Sequence, residues 1–241
     1  MSRFQLIKLG LIIVIMSSCS SEVKNNIKTN PNNTIKQTNI PFQLKAGDIL
    51  FQDIDCGPFC ESIEKVTFGY GGSKFSHVAM VIPTQNNQLT VLEAVTKGVV
   101  ETPIDRFLMR SFDQEKKSKV VVGRLKPTFQ HLIPKAINFA KTKKGAEYDE
   151  VFDITNDKYY CSELLYFAFK HANDNNPIFQ LQNMTYKDPE TGLTFPIWSD
   201  YFKNLNVDIP EGKPGLNPGG MSMSEYIDIV HFYGKPNGFE G

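Results

Sequence analysis

The sequence predicts an α+β domain in which an antiparallel sheet, or a partial barrel, packs against one buried helix beginning at Cys161. Three observations predict it. After Cys161, the residues Leu164, Leu165, Ala168, Phe169 and Ala172 recur at helical spacing, while Tyr166, Lys170 and Asn173 take the opposite side. Residues 75–82 and 89–95 alternate as strands do, and the short loop between them makes the pair antiparallel. The β-branched run at 120–124 supplies a central strand.

The first nineteen residues stand apart from this domain. Arg3 and Lys8 precede an apolar run from Leu9 to Met16, which is too short to cross a bilayer and has the form of an export signal. Its end, Met16-Ser17-Ser18-Cys19, resembles the lipobox of bacterial lipoproteins; the resemblance implies a lipid anchor on Cys19 and a place in the bacterial cell envelope, on a periplasmic or outer-membrane face. An ordinary cleavage site beside an incidental cysteine is the alternative. Residues 20–40, rich in Asn, Thr, Lys and Ser without apolar periodicity, form a flexible tether, and residues 41–241 form the domain.

Within the domain, 45–51 is a turn followed by a short strand. Gly57 and Pro58 open a helix carrying Phe59, Ile63 and Val66, with Gly69 as its stop. Cys56 and Cys60 flank that helix start. Their spacing permits a disulfide but is neither a redox Cys-x-x-Cys nor a metal knuckle, so they are taken as structural. Gly98 to Glu101 is a third strand, and Thr102 caps a short helix with Pro103 at its first position. Ile133, Ile137 and Ala140 trace a helix ending by Gly145, where three lysines meet its negative end. From 173 to 220 the composition predicts long loops and short strands, and Ile227, Ile229 and His231 a closing strand.

The chemistry starts at Cys161. In the first turn of a helix, four backbone N–H groups lack intrahelical partners and the macrodipole is positive, which favours thiolate over thiol. The hairpin supplies a possible base. Centred on Gln85, it opposes Val81 with Leu89, Ala79 with Val91, His77 with Glu93 and Phe75 with Val95. An imidazole then faces a carboxylate across about 5 Å in an otherwise apolar stripe. Such a pair is costly unless the two groups satisfy each other. A register one residue away would separate them. His131, His171 and His231 have no comparable setting.

A thiol nucleophile needs a base and a group that orients the base, and Cys161, His77 and Glu93 offer those roles. The same set could ligate zinc, but the chain lacks His-Glu-x-x-His and Cys-x-x-Cys spacing, so no metal or other cofactor is expected. Lys+Arg and Asp+Glu balance at 26 each in 241 residues, so no net field is directed at nucleic acid, and none is expected as a partner.

The ordered blocks 47–51, 75–81, 91–94 with Gly98-Val99, Tyr148-Asp149 and 159–164 resemble the permuted papain-like amidases of the YiiX/YaeF group, relatives of NlpC-type cell-wall peptidases with the histidine ahead of the cysteine. The resemblance implies a circularly permuted papain-like fold with Cys161 as nucleophile, His77 as base and Glu93 as orienting residue. Tyr148 and Tyr160 are expected to line the site. It also implies a hydrolase acting on a small amide or peptide, with ester hydrolysis, acyl transfer or non-catalytic ligand binding as alternatives. Ala79 stands where the group often has glycine, and 175–220 has no counterpart in the resemblance.

Overall fold

The structure, a computed structural model, describes residues 41–241. The predicted signal, Cys19 and the tether lie outside the described residues. In chain order the elements are β1 (Ile49–Gln52), α1 (Pro58–Val66), β2 (His77–Pro83), β3 (Leu89–Val95), β4 (Gly98–Thr102), α2 (Ile104–Leu108), β5 (Val120–Leu125) and α3 (Ile133–Thr142). They continue with α4 (Cys161–Ala172), β6 (Gln182–Asn183), α5 (Pro196–Leu205), β7 (Pro214–Gly215), α6 (Pro218–Ser222) and β8 (Ile227–Phe232). Six strands form one antiparallel sheet in the order β4-β3-β2-β1-β5-β8, and β6 pairs with β7.

The β-branched run does become an interior strand, β5, between β1 and β8. One sheet face, with Phe51, Val78, Met80 and Leu92, packs on α3 and α4; the other, with Leu50, Ala79, Val81, Val91 and Val122, closes over Phe107 of α2. Full burial of Leu164, Leu165 and Phe169 stabilises α4 on the sheet by about 1.5–3 kcal/mol each. Tyr166, expected on the solvent side, is buried as well, with Lys170 Nζ over its ring at 5.4 Å. The lysine stem covers aromatic surface while its ammonium stays wet.

The hairpin differs from expectation in register. Val81 pairs with Val91 and Pro83 with Leu89, two residues along from the Val81–Leu89 pairing expected. The strand runs on through Pro83, and the turn is closed by Thr84 N–H donating to Gln88 C=O at 2.7 Å. An even shift preserves which side chains share a face. Carried on, this register sets Glu93 across from Ala79 and diagonal to His77. Phe75 is also misplaced by simple alternation: the chain bends at Ser76, and Phe75 packs on the α4 side against Phe51, with ring centroids 5.6 Å apart.

The 173–220 segment contains more helix than expected. Beyond the two-residue strands, Ile197, Trp198, Tyr201, Phe202 and Leu205 give α5 an apolar side, and Pro196 sits in its first turn, where a missing N–H costs nothing. With Phe59, Ile63, Phe152, Met184 and Tyr186 this helix forms a separate aromatic core. Its aromatic composition has weak intrinsic helix preference, so the helix depends on that packing.

Candidate active site

Two chain approaches place the site at one end of the sheet. The β3–β4 turn needs Gly98, whose φ is +91° and whose missing Cβ leaves room for the Ala146 carbonyl. Val99 N–H then donates to Ala146 at 2.9 Å, bringing 146–148 against the sheet end. Asp149 is buried and accepts from the N–H groups of Val151 and Asp153 at 3.1 and 2.6 Å, shaping the turn that leads towards α4.

Cys161 is the first residue of α4 and, among the described residues, the free cysteine. The carboxyl of Glu163 reaches back to the N–H of Tyr160 at 3.1 Å. Either side of Cys161, Tyr160 Oη accepts from Leu216 N–H at 3.1 Å and Ser162 Oγ donates to Leu216 C=O at 3.0 Å. Both polar groups of one residue of the 175–220 segment are thereby tied to the start of α4.

His77 opens β2, and its Nε2 lies 2.7 Å from Glu93 Oε2. Glu93 is fully buried and has two further partners. Arg110, just past α2, meets both carboxylate oxygens, Nη1 to Oε2 at 2.7 Å and Nη2 to Oε1 at 2.5 Å, and Thr102 Oγ1 donates to Oε1. Burial alone would raise the Glu93 pKa; hydrogen bonds from His77, Arg110 and Thr102 outweigh it and lower it to about 2. For His77, burial disfavours the charged ring, but hydrogen bonding to Cys161 and Glu93 raises its pKa to about 9. At about 9, the ring keeps its proton at neutral pH.

The structure therefore brings His77 and Glu93 into direct contact, as a diagonal pair in place of the opposed pair expected, because the glutamate side chain is long enough to span the offset. Arg110 and Thr102 are further partners that periodicity does not mark. Thr102 was expected to cap α2; it instead ends β4, Pro103 takes the cap position, and the hydroxyl turns to Glu93. The signal was the two-residue Thr96-Lys97 turn, which sets Glu93 opposite Val100 and so near Thr102. Arg110, in an irregular stretch, carries no such signal.

Cys161 and His77 line a common cleft of about 360 Å³ with Tyr148, Tyr160 and Trp198. The cleft is open, and the 175–220 segment forms one wall of it. Cys56 and Cys60, which also line it, are joined in a disulfide. A larger cleft of about 870 Å³, lined by Asp113, Lys117 and Lys119 among others, shares no residue with it. Burial raises the Tyr148 pKa, so its phenol keeps its proton.

An antiparallel sheet, with a helix-initial cysteine and a strand-borne histidine lining one cleft at its end, is the architecture of a permuted papain-like hydrolase. The chain belongs to the permuted papain-like amidase family YaeF/YiiX, C92, whose model matches residues 43–231. Among solved structures it resembles one described as the metalloprotein yiiX from Escherichia coli O157:H7, with TM-score 0.63 and 23% identity, covering 80% of this chain and 99% of that one. No curated protein matches the chain. As for a metal here, no group of three or more His, Cys, Asp or Glu that could hold one occurs among the described residues, and Glu93 already gives both oxygens to Arg110, Thr102 and His77. This donor set does not fit a metal.

Glu163 gives a prediction about stability. Burial, opposed by the Tyr160 N–H, raises its pKa from 4.5 to about 9, and Oε1 is buried without a partner. Between those values the folded state holds a proton that the unfolded state releases, so stability falls as pH rises. The loss is about 3 kcal/mol by pH 7. Glu163→Gln should abolish this component, making denaturant midpoints less pH-dependent between about pH 5 and pH 8; an unchanged pH slope would refute it.

Proposed function

We propose that the protein is a cell-envelope lipoprotein that cleaves an amide bond of a small amide or peptide, with Cys161 as nucleophile, His77 as proton carrier and Glu93 as the group that orients His77. One observation carries the reading: the His77 ring, held to Glu93 through Nε2, lines the same cleft as the Cys161 sulfur at the start of α4. With Nε2 engaged by Glu93, Nδ1 is the nitrogen left to exchange a proton with the sulfur. A ring pinned by a carboxylate, in one cleft with a helix-initial sulfur, favours an imidazolium–thiolate pair.

The thiolate adds to the amide carbon, and the oxyanion that forms meets N–H groups at the start of α4, with the Tyr148 phenol lining the same cleft. Collapse breaks the C–N bond as His77 gives its proton to the leaving amine. Water, losing a proton to His77, then hydrolyses the thioester and restores the sulfur.

Alkylation tests the nucleophile directly. Near neutral pH, iodoacetamide should modify Cys161 at least about tenfold faster than a model thiol, read from the mass of its peptide. A rate no greater than the model thiol's would remove the basis of the proposal.

The anchor rests on Met16-Ser17-Ser18-Cys19. Among the described residues no helix is long and apolar enough to cross a membrane. Cys19→Ala should move the protein from the membrane fraction to the soluble fraction; retention in the membrane would mean that something else holds it there.

A further inference from the structure

The cleft at Cys161 has a chemical character that narrows the substrate. Among the described residues none of those lining it is Asp, Glu, Lys or Arg, and His77 is its only basic side chain. Beside neutral polar side chains such as Gln182, Asn183, Thr185 and Asn217, its lining is largely aromatic and aliphatic. Phe59 and Ile63 come from α1, while Met184, Tyr186 and Trp198 come from the 175–220 segment. Phe59 and Trp198 pack against each other with ring centroids 4.7 Å apart, so the wall is a built surface. It is also held in place at the nucleophile, because Leu216 is bonded on both sides of Cys161 by Tyr160 and Ser162.

A peptide bearing free carboxylates and ammonium groups would find no charged partner in this cleft beyond the Cys161–His77 pair that the reaction uses, and would lose hydration there. An alkyl or aryl group would instead replace water against aromatic carbon. We infer that the physiological substrate is an amide carrying an uncharged, apolar alkyl or aryl group next to the scissile bond, and that the 175–220 segment supplies the wall that selects it. This rests on the proposed amidase chemistry and assigns the segment a role in specificity.

Two measurements test it, one free of turnover. Trp198 is the single tryptophan of the chain and lines the cleft, so its fluorescence reports occupancy. In the Cys161→Ala protein, octanamide should change that fluorescence and bind more tightly than hexanamide and butanamide, by about fourfold per methylene. In the wild type, kcat/KM for N-acyl p-nitroanilides should climb from acetyl to octanoyl with a similar slope. It should exceed that for an anilide of a glutamyl or lysyl residue. Affinity independent of chain length, or preference for the charged anilides, would overturn the inference while leaving the thiol chemistry intact. Chain-length-dependent binding to Cys161→Ala, with no hydrolysis of any anilide by the wild type, would support the apolar cleft and count against the amidase reading instead.

Discussion

Cys161→Ala is expected to lower kcat by about a million-fold, to the residual rate that binding and oxyanion contacts alone sustain. The size of the effect follows from what is lost. No other side chain in the cleft is a comparable nucleophile, and His77 without the sulfur has only water to activate. The fold should survive, because Cys161 sits at the helix start with its backbone tied through its neighbours: Tyr160 and Ser162 hold Leu216, and Glu163 holds the Tyr160 N–H. Steady-state kinetics on a neutral acyl anilide, with a thermal melt of the same protein as control, separates the two effects. A well-folded Cys161→Ala protein retaining more than about one per cent of wild-type kcat would show that the sulfur is not the nucleophile. His77→Ala should approach the same floor, because nucleophile and base act as one unit and their losses do not add.

The parts of this site legible in the sequence are those fixed by period. Helical spacing after Cys161 locates α4, and alternation locates β2 and β3 and puts His77 and Glu93 on one face even though the register slides by two residues. Period says nothing about where a turn closes. Alternation alone therefore centres the hairpin one residue early and carries Phe75 to the wrong face across the bend at Ser76. Residues whose role depends on distant loops were invisible: Arg110 reaches Glu93 from an irregular stretch, and α5 forms because aromatic side chains from α1 and the 152–186 region surround it. The cysteine pair at 56 and 60 was open from spacing alone. The two form a disulfide that lines the cleft.

Glu93→Gln should lower kcat by about 10²- to 10⁴-fold while leaving the nucleophile in place. An amide can offer His77 an acceptor oxygen, but its NH₂ then faces the Arg110 guanidinium, a donor against donors. The Arg110 charge, formerly matched by two contacts to the carboxylate, is left beside the ring. Both changes disfavour imidazolium. In the wild type the ion pair is lost on the alkaline side as His77 gives up its proton at about 9. In Glu93→Gln that limb of kcat/KM should therefore move to lower pH. Arg110→Ala is the informative counterpart, since it removes the cation and keeps the carboxylate. Its alkaline limb should stay where it is or move up, with a smaller loss of kcat that reflects only a less firmly held Glu93. If Glu93→Gln kept the wild-type alkaline limb, the carboxylate would be holding strands together without tuning the imidazole, and the assignment of Glu93 as the orienting group would fail.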